Sequence, residues 1–188
     1  MKLLLNLMKW TLRILGGLLV LVILVVAVFL TVTQFHDGTF EGSMEINLAG
    51  GGPFTTGQWH REPMEPDWSF LKEYQTVEFQ LLNPARSRRT YIMEHDGRIF
   101  VPSGNMNGAW EKIWKQWPKE AEKDGRAILR VDGKLYERQL VRIRDEEIAT
   151  PVLKEAGRKY YGGAEIPFAW IRSGDVWLFE LQPKSSSN

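Results

Sequence analysis

No cysteine occurs in the 188 residues, which removes disulfides, thiolate nucleophiles and zinc–thiolate centres from consideration. Histidine is scarce: His36, His60 and His95 are scattered, without the i, i+4 spacing or neighbouring carboxylates of a metal site. No Gly-x-Ser-x-Gly elbow is present to support acyl transfer. Gly50-Gly51-Gly52 is followed by Pro53, not by Lys-Ser/Thr, so the run reads as a flexible turn and not as a phosphate loop. A large charge of one sign is also missing. The formal net charge is +1, and setting aside Lys2, Lys9 and Arg13 leaves the remainder at −2. That balance excludes a nucleic-acid partner, despite the basic run Arg86-Ser87-Arg88-Arg89.

The most telling absence is local. Ile14 to Val32 holds no charged residue and is nearly all Leu, Val and Ile, enough helix to cross a bilayer core of about 30 Å. Lys2, Lys9 and Arg13 precede it, and no Lys or Arg follows until Arg61, so the positive-inside rule places the C-terminal side outside the cytoplasm. Phe29 to Gln34 offers no small-x-small cleavage site, which favours an uncleaved anchor in the cell membrane over a signal peptide. The lipid bilayer is therefore the first expected partner.

What is present is a run of short strands. Phe40, Met44, Ile46 and Leu48 share one parity, as in a strand with one wet face, and Thr76 to Leu81 alternates in the same way. Asp67 caps a short helical turn through Leu71. Arg89 to Met93 and Ile99 to Val101 flank the Asp96-Gly97 turn; Ala127 to Val131 and Leu135 to Ile143 flank Asp132-Gly133. Between these hairpins Trp110, Ile113, Trp114 and Trp117 fall at i, i+3, i+4 and i+7, predicting one helix with Trp114 mid-stripe in the core, closed by Pro118. Thr150-Pro151 reads as an N-cap and first helical position, with that helix ending at Gly162-Gly163. Asp175 to Leu181 is the last strand. The expected organisation is an anchor over 1–35, a strand and irregular linker over 36–66, a barrel domain over 67–182 and a polar tail over 183–188. About seven strands in antiparallel hairpins with two inserted helices suit a small barrel.

One loop carries candidate chemistry. Ser103, Gly104 and Asn105 join a strand to the predicted helix start, where unpaired amides favour an anion, and Arg89 on a neighbouring strand offers a planar fork. The competing reading is that the loop only caps the tryptophan helix.

Arg89 to Met93, Gly97 to Val101, the Ser103-Gly104 loop and Ala127 to Tyr136 together resemble the split β-barrel superfamily. It includes pyridoxamine 5'-phosphate oxidase-like flavoproteins and deazaflavin-dependent nitroreductases, and the likeness covers roughly Asp67 to Leu181. It implies a mainly β fold with inserted helices: an antiparallel split β-barrel of the FMN-binding kind, behind a transmembrane helix. It further implies frequent homodimers and a bound FMN or related flavin. By the same resemblance Arg89, Ser103, Gly104 and Asn105 would hold the flavin phosphate; on the flavin-binding reading Trp110 or Trp117 would line the pocket. Two positions depart from the pattern. Glu94 stands where the oxidases carry a basic residue, and Asn83-Pro84-Ala85-Arg86-Ser87 replaces the Gly-Arg-Lys-Ser-Gly motif of the deazaflavin enzymes. Two functions are thus expected: a flavin-dependent oxidoreductase, or a non-catalytic binding or envelope-structural module on the same fold. Glu94 and the outside location favour the second, and Arg89 with the Ser103 loop favours the first. No metal site is expected.

Overall fold

The computed structural model describes residues 2–39, 50–62 and 64–184. The expected strand centred on Ile46 lies outside the described residues. Helix α1 (Lys2–Thr33) contains 28 residues, Asn6–Thr33, apolar and long enough to cross a membrane by length and composition. Beyond it, strands β1 (Gln58–Trp59), β2 (Thr76–Leu82), β3 (Ala85–Tyr91), β4 (Met93–His95), β5 (Arg98–Ser103), β6 (Arg126–Val131), β7 (Lys134–Ile143) and β8 (Trp177–Pro183) form one sheet. Its order is β3-β2-β6-β7-β8-β5-β4, antiparallel throughout, with β1 pairing parallel to β7 beside it. β1 is only two residues long, too short to show alternation.

The sheet curls until β3 approaches β5 without a ladder between them; Thr90 Oγ1 instead donates to the Pro102 carbonyl at 3.4 Å. That unpaired seam makes the barrel a split one. Both Asp-Gly turns adopt the geometry that two-residue hairpins require, with φ of 53° and 72° at Asp96 and Gly97 and of 48° and 71° at Asp132 and Gly133.

Strand alternation sorts the side chains. Val77, Phe79 and Leu81 of β2 meet Ile99, Val101, Leu129, Leu140, Phe179 and Leu181 inside the curl. On the other surface, Phe100, Ile143 and Leu178 pack under α4 (Glu146–Tyr160) and α5 (Ala169–Arg172). Each fully buried side chain of this size contributes about 1.5–3 kcal/mol, so the filled interior is the main stabilising element. The end of α4 is tied down by Lys159, whose ammonium donates to the carbonyls of Leu71, Tyr74 and Ile92 at 2.9, 2.6 and 2.8 Å.

Three expectations are corrected. The tryptophan helix is two short ones, α2 (Glu111–Trp114) and α3 (Trp117–Lys123), because Pro118 opens the second helix, where its missing N–H costs nothing. Trp114 is consequently 44% exposed and outside the core, while Trp117 packs on Phe79 and Phe179 at ring distances of 5.2 and 5.3 Å. Helix α4 starts at Glu146, not at Thr150-Pro151: the Asp145 carboxylate accepts from the amides of Glu147 and Ile148, a stronger cap than Thr150 further along. Nor is the glycine run a free turn. Gly51 exchanges hydrogen bonds with Ser87 on the edge of β3, and a Cβ there would collide with the Gly38 carbonyl. That contact also covers an exposed sheet edge.

Candidate functional site

The register of β3 decides where its arginines go. Arg88 stands opposite Phe79 and faces the interior; Arg89 stands opposite Glu78 and faces outward. On that outer face Arg89 Nη2 lies 3.6 Å from Glu78 Oε1, and Arg89 Nε donates to Thr39 Oγ1 at 3.4 Å. Arg130, from β6, completes the cluster. Its Nε and Nη2 donate to Glu78 Oε2 at 3.1 and 2.8 Å, and its Nη1 to Asp37 Oδ1 at 3.0 Å. The guanidinium carbon sits 4.1 Å from the centre of the Phe54 ring. Thr39 Oγ1 donates to Glu78, and Thr56 Oγ1 to Asp37.

Burial would raise the Asp37 carboxyl, but hydrogen bonds from Thr56 and Thr55 together with the Arg130 charge outweigh it and hold the pKa at about 2. The same balance, with burial opposed by Thr39 and Arg130, keeps Glu78 below the usual carboxylate range. These groups line a surface cleft of about 570 Å³ with Tyr74 and Asp132. The arrangement neutralises its own charges, and it fastens the chain just after α1 to the outer wall of the barrel.

The Ser103 loop lies elsewhere. Ser103 shares strand parity with Ile99 and Val101, so it faces inward, buried, with Oγ donating to Met106 Sδ at 3.3 Å. The Gly104 carbonyl accepts from Lys115 Nζ at 2.8 Å, and Asn105 is exposed in the left-handed region at φ 56°. Met106 N donates to the Asp175 carbonyl at 2.8 Å, which holds the loop against the start of β8. Trp110 is 76% exposed, and Trp117 is partly buried and packs against the core.

The fold therefore gathers Ser103, Gly104 and Asn105 in one loop. Arg89 is on the opposite face of the sheet and ion-paired, Trp110 is exposed, and Trp117 is partly buried against Phe79 and Phe179. Within the chain, Arg89 and the Ser103-Gly104-Asn105 loop therefore do not converge on one point. Among the described residues no three His, Asp or Glu side chains cluster as a metal site would require.

Two inward arginines were not singled out by sequence reasoning, although strand parity could have found both. Arg88 lies between the Phe79 and Trp117 rings, 5.5 Å from each centre, and burial lowers its pKa to about 10. Its Nε is buried and has no hydrogen-bond partner among the described residues. Arg138 shares the inward parity of Tyr136 and Leu140 and is 3% exposed. Its Nη1 donates to both oxygens of Glu65 at 2.9 Å, while its Nε is buried without a partner among the described residues.

The curled sheet with its unpaired β3–β5 seam defines a split β-barrel. No protein-family model matches the sequence, and no curated protein does. Solved structures similar to it include a protein provisionally assigned as a pyridoxamine 5'-phosphate oxidase from Listeria innocua, with TM-score 0.41 and 14% identity, covering 62% of this chain and 90% of that one. A conserved hypothetical protein from Mycobacterium tuberculosis is similar with TM-score 0.44 and 10% identity, covering 68% and 86%. A NimC/NimA family protein from Clostridium acetobutylicum is similar with TM-score 0.38 and 14% identity, covering 60% and 74%.

Proposed function

We propose that this chain is a membrane-anchored split-barrel module that binds and positions a ligand or partner outside the cytoplasm, and does not catalyse redox chemistry. One observation carries the reading: Arg89 is bridged to Glu78 on the outer face, while Ser103 faces inward on Met106 and its loop is held by Lys115 and Asp175. The long apolar helix α1 and the Lys/Arg asymmetry around it support the anchor and its orientation. The test is a titration of the full chain in detergent micelles with FMN and riboflavin, followed by flavin fluorescence. No quenching by the protein is expected at micromolar flavin; saturable binding of FMN overturns the reading. A C-terminal alkaline phosphatase fusion should be active, and activity only from a cytoplasmic reporter would reverse the orientation.

A second reading, a flavin-binding oxidoreductase, is favoured by Arg88, whose buried Nε has no partner and which shares the inward side of the sheet with Ser103. On that reading FMN binds and riboflavin binds less well, and Arg88→Ala abolishes the difference between them.

A further inference from the structure

Glu65 comes from the irregular segment between β1 and the 3-10 turn Trp68–Glu73, and its carboxylate reaches the buried guanidinium of Arg138. Around that contact the barrel supplies a preformed receptor for a carboxylate. Arg138 has a side chain only 2% exposed, with its guanidinium carbon 4.9 Å from the Trp68 ring and 5.5 Å from the Tyr136 ring. The Trp68 indole Nε1 donates to Glu65 Oε2 at 3.0 Å. His60 extends the wall, 5.0 Å from Tyr136.

The fit of Glu65 to this receptor is incomplete. A guanidinium holds a carboxylate best by two parallel bonds from two nitrogens. Here a single nitrogen, Nη1, reaches both oxygens, and Nε stays buried with no partner. The receptor is fixed by the barrel core, whereas Glu65 is 44% exposed on a segment without regular structure. A buried cation with an unused donor costs stability unless something fills it. We propose that Arg138, Trp68 and Tyr136 form a binding site for a small carboxylate ligand, and that Glu65 is a resident plug which such a ligand displaces. The proposal rests on the reading of the domain as a binding module, and its test involves no flavin, so either can fail alone.

The experiment uses the full chain in detergent micelles. In chloride buffer Glu65→Ala should melt below wild type, because Arg138 has lost its counter-charge. Sodium acetate at matched ionic strength should restore the midpoint saturably, by roughly 5 °C, an amount typical of recovering one such contact in a domain of this size. If Glu65→Ala is unfolded in chloride, recovery of the folded state in acetate is the same readout. Glu65→Gln, whose amide still fills the site, should show no acetate effect. In wild type, acetate should speed tryptic cleavage after the exposed Arg61, read by mass spectrometry, as the plug leaves. Three results overturn the proposal: acetate acting no better than chloride on Glu65→Ala, inorganic phosphate acting better than acetate, or rescue of the variant with no change in wild-type cleavage. The last would make Glu65 a permanent structural partner.

Discussion

Arg130 and Arg138 stand on adjacent strands of one hairpin, and each ties an irregular segment to the barrel through a carboxylate. They differ in completeness. Arg130, on the outer face, uses all three guanidinium nitrogens on Glu78 and Asp37, and its flat face lies on Phe54. Arg138, on the inner face, uses one nitrogen on one half-exposed carboxylate, and its Nε has nothing. Solvent at the outer face would have solvated a stray donor, yet there every guanidinium nitrogen is paired; the interior, where an unpaired donor costs most, holds the incomplete one. A saturated guanidinium behaves as a latch, and an unsaturated one marks a place where something else can bind.

The largest effect that would break this contrast is loss of the latch. Arg130→Met removes the counter-charge of Asp37 and leaves Glu78 with Arg89 alone, 3.6 Å away. The cost should be about 3 kcal/mol, the lower end for a broken buried pair, because Asp37 is partly solvated and Glu78 keeps Arg89. Thermal melting of the full chain in detergent, followed by tryptophan fluorescence, measures it. A shift no larger than that of Glu65→Ala would erase the distinction between the two arginines.

A smaller effect follows from acid. The folded-state pKa of Asp37 lies below its unfolded value, so its contribution is fully present above about pH 4 and is lost as pH falls towards about 2. Glu78, also lowered, adds to the same limb. Wild type should lose stability progressively across that window, and Asp37→Asn should flatten the slope while lowering the plateau near neutrality. An unchanged slope in the variant would show that Asp37 is not part of the latch.

Much of the barrel was legible because its signals are local. The Asp-Gly turns marked two hairpins, and alternation along Thr76 to Leu81 marked the strand β2. What was misread depended on competition between neighbours. Thr150-Pro151 has the chemistry of a helix start, but Asp145 lies ahead of it and captures two amides first. Arg89 carried the right fork for a phosphate, yet parity alone puts Arg88 on the inner side, and nothing local in the sequence says that Glu78 will claim Arg89 across the ladder. The Arg138–Glu65 pairing spans 73 positions from an irregular segment, a contact that periodicity cannot encode.

The smallest effect tests whether the same rule holds for apolar groups. Trp114 and Trp117 are three residues apart and were read as one stripe, but the break at Lys115 and Gln116 turns them to different surroundings. Trp117 is saturated with ring contacts to Phe79, Phe179 and the Arg88 guanidinium. For Trp114 the recorded ring contact is Lys115 Nζ, 5.8 Å from its centre, a cation–π contact at an exposed position. Such a contact contributes about 0.5–1 kcal/mol at most, and surface substitutions usually fall within about 0.5 kcal/mol. Trp114→Ala should therefore leave the melting midpoint nearly unchanged, while Trp117→Ala in the same preparation destabilises the chain clearly. If the two variants lose equal stability, Trp114 is packed against something that its exposure does not reveal, and the division of these helices into a core side and a free side falls.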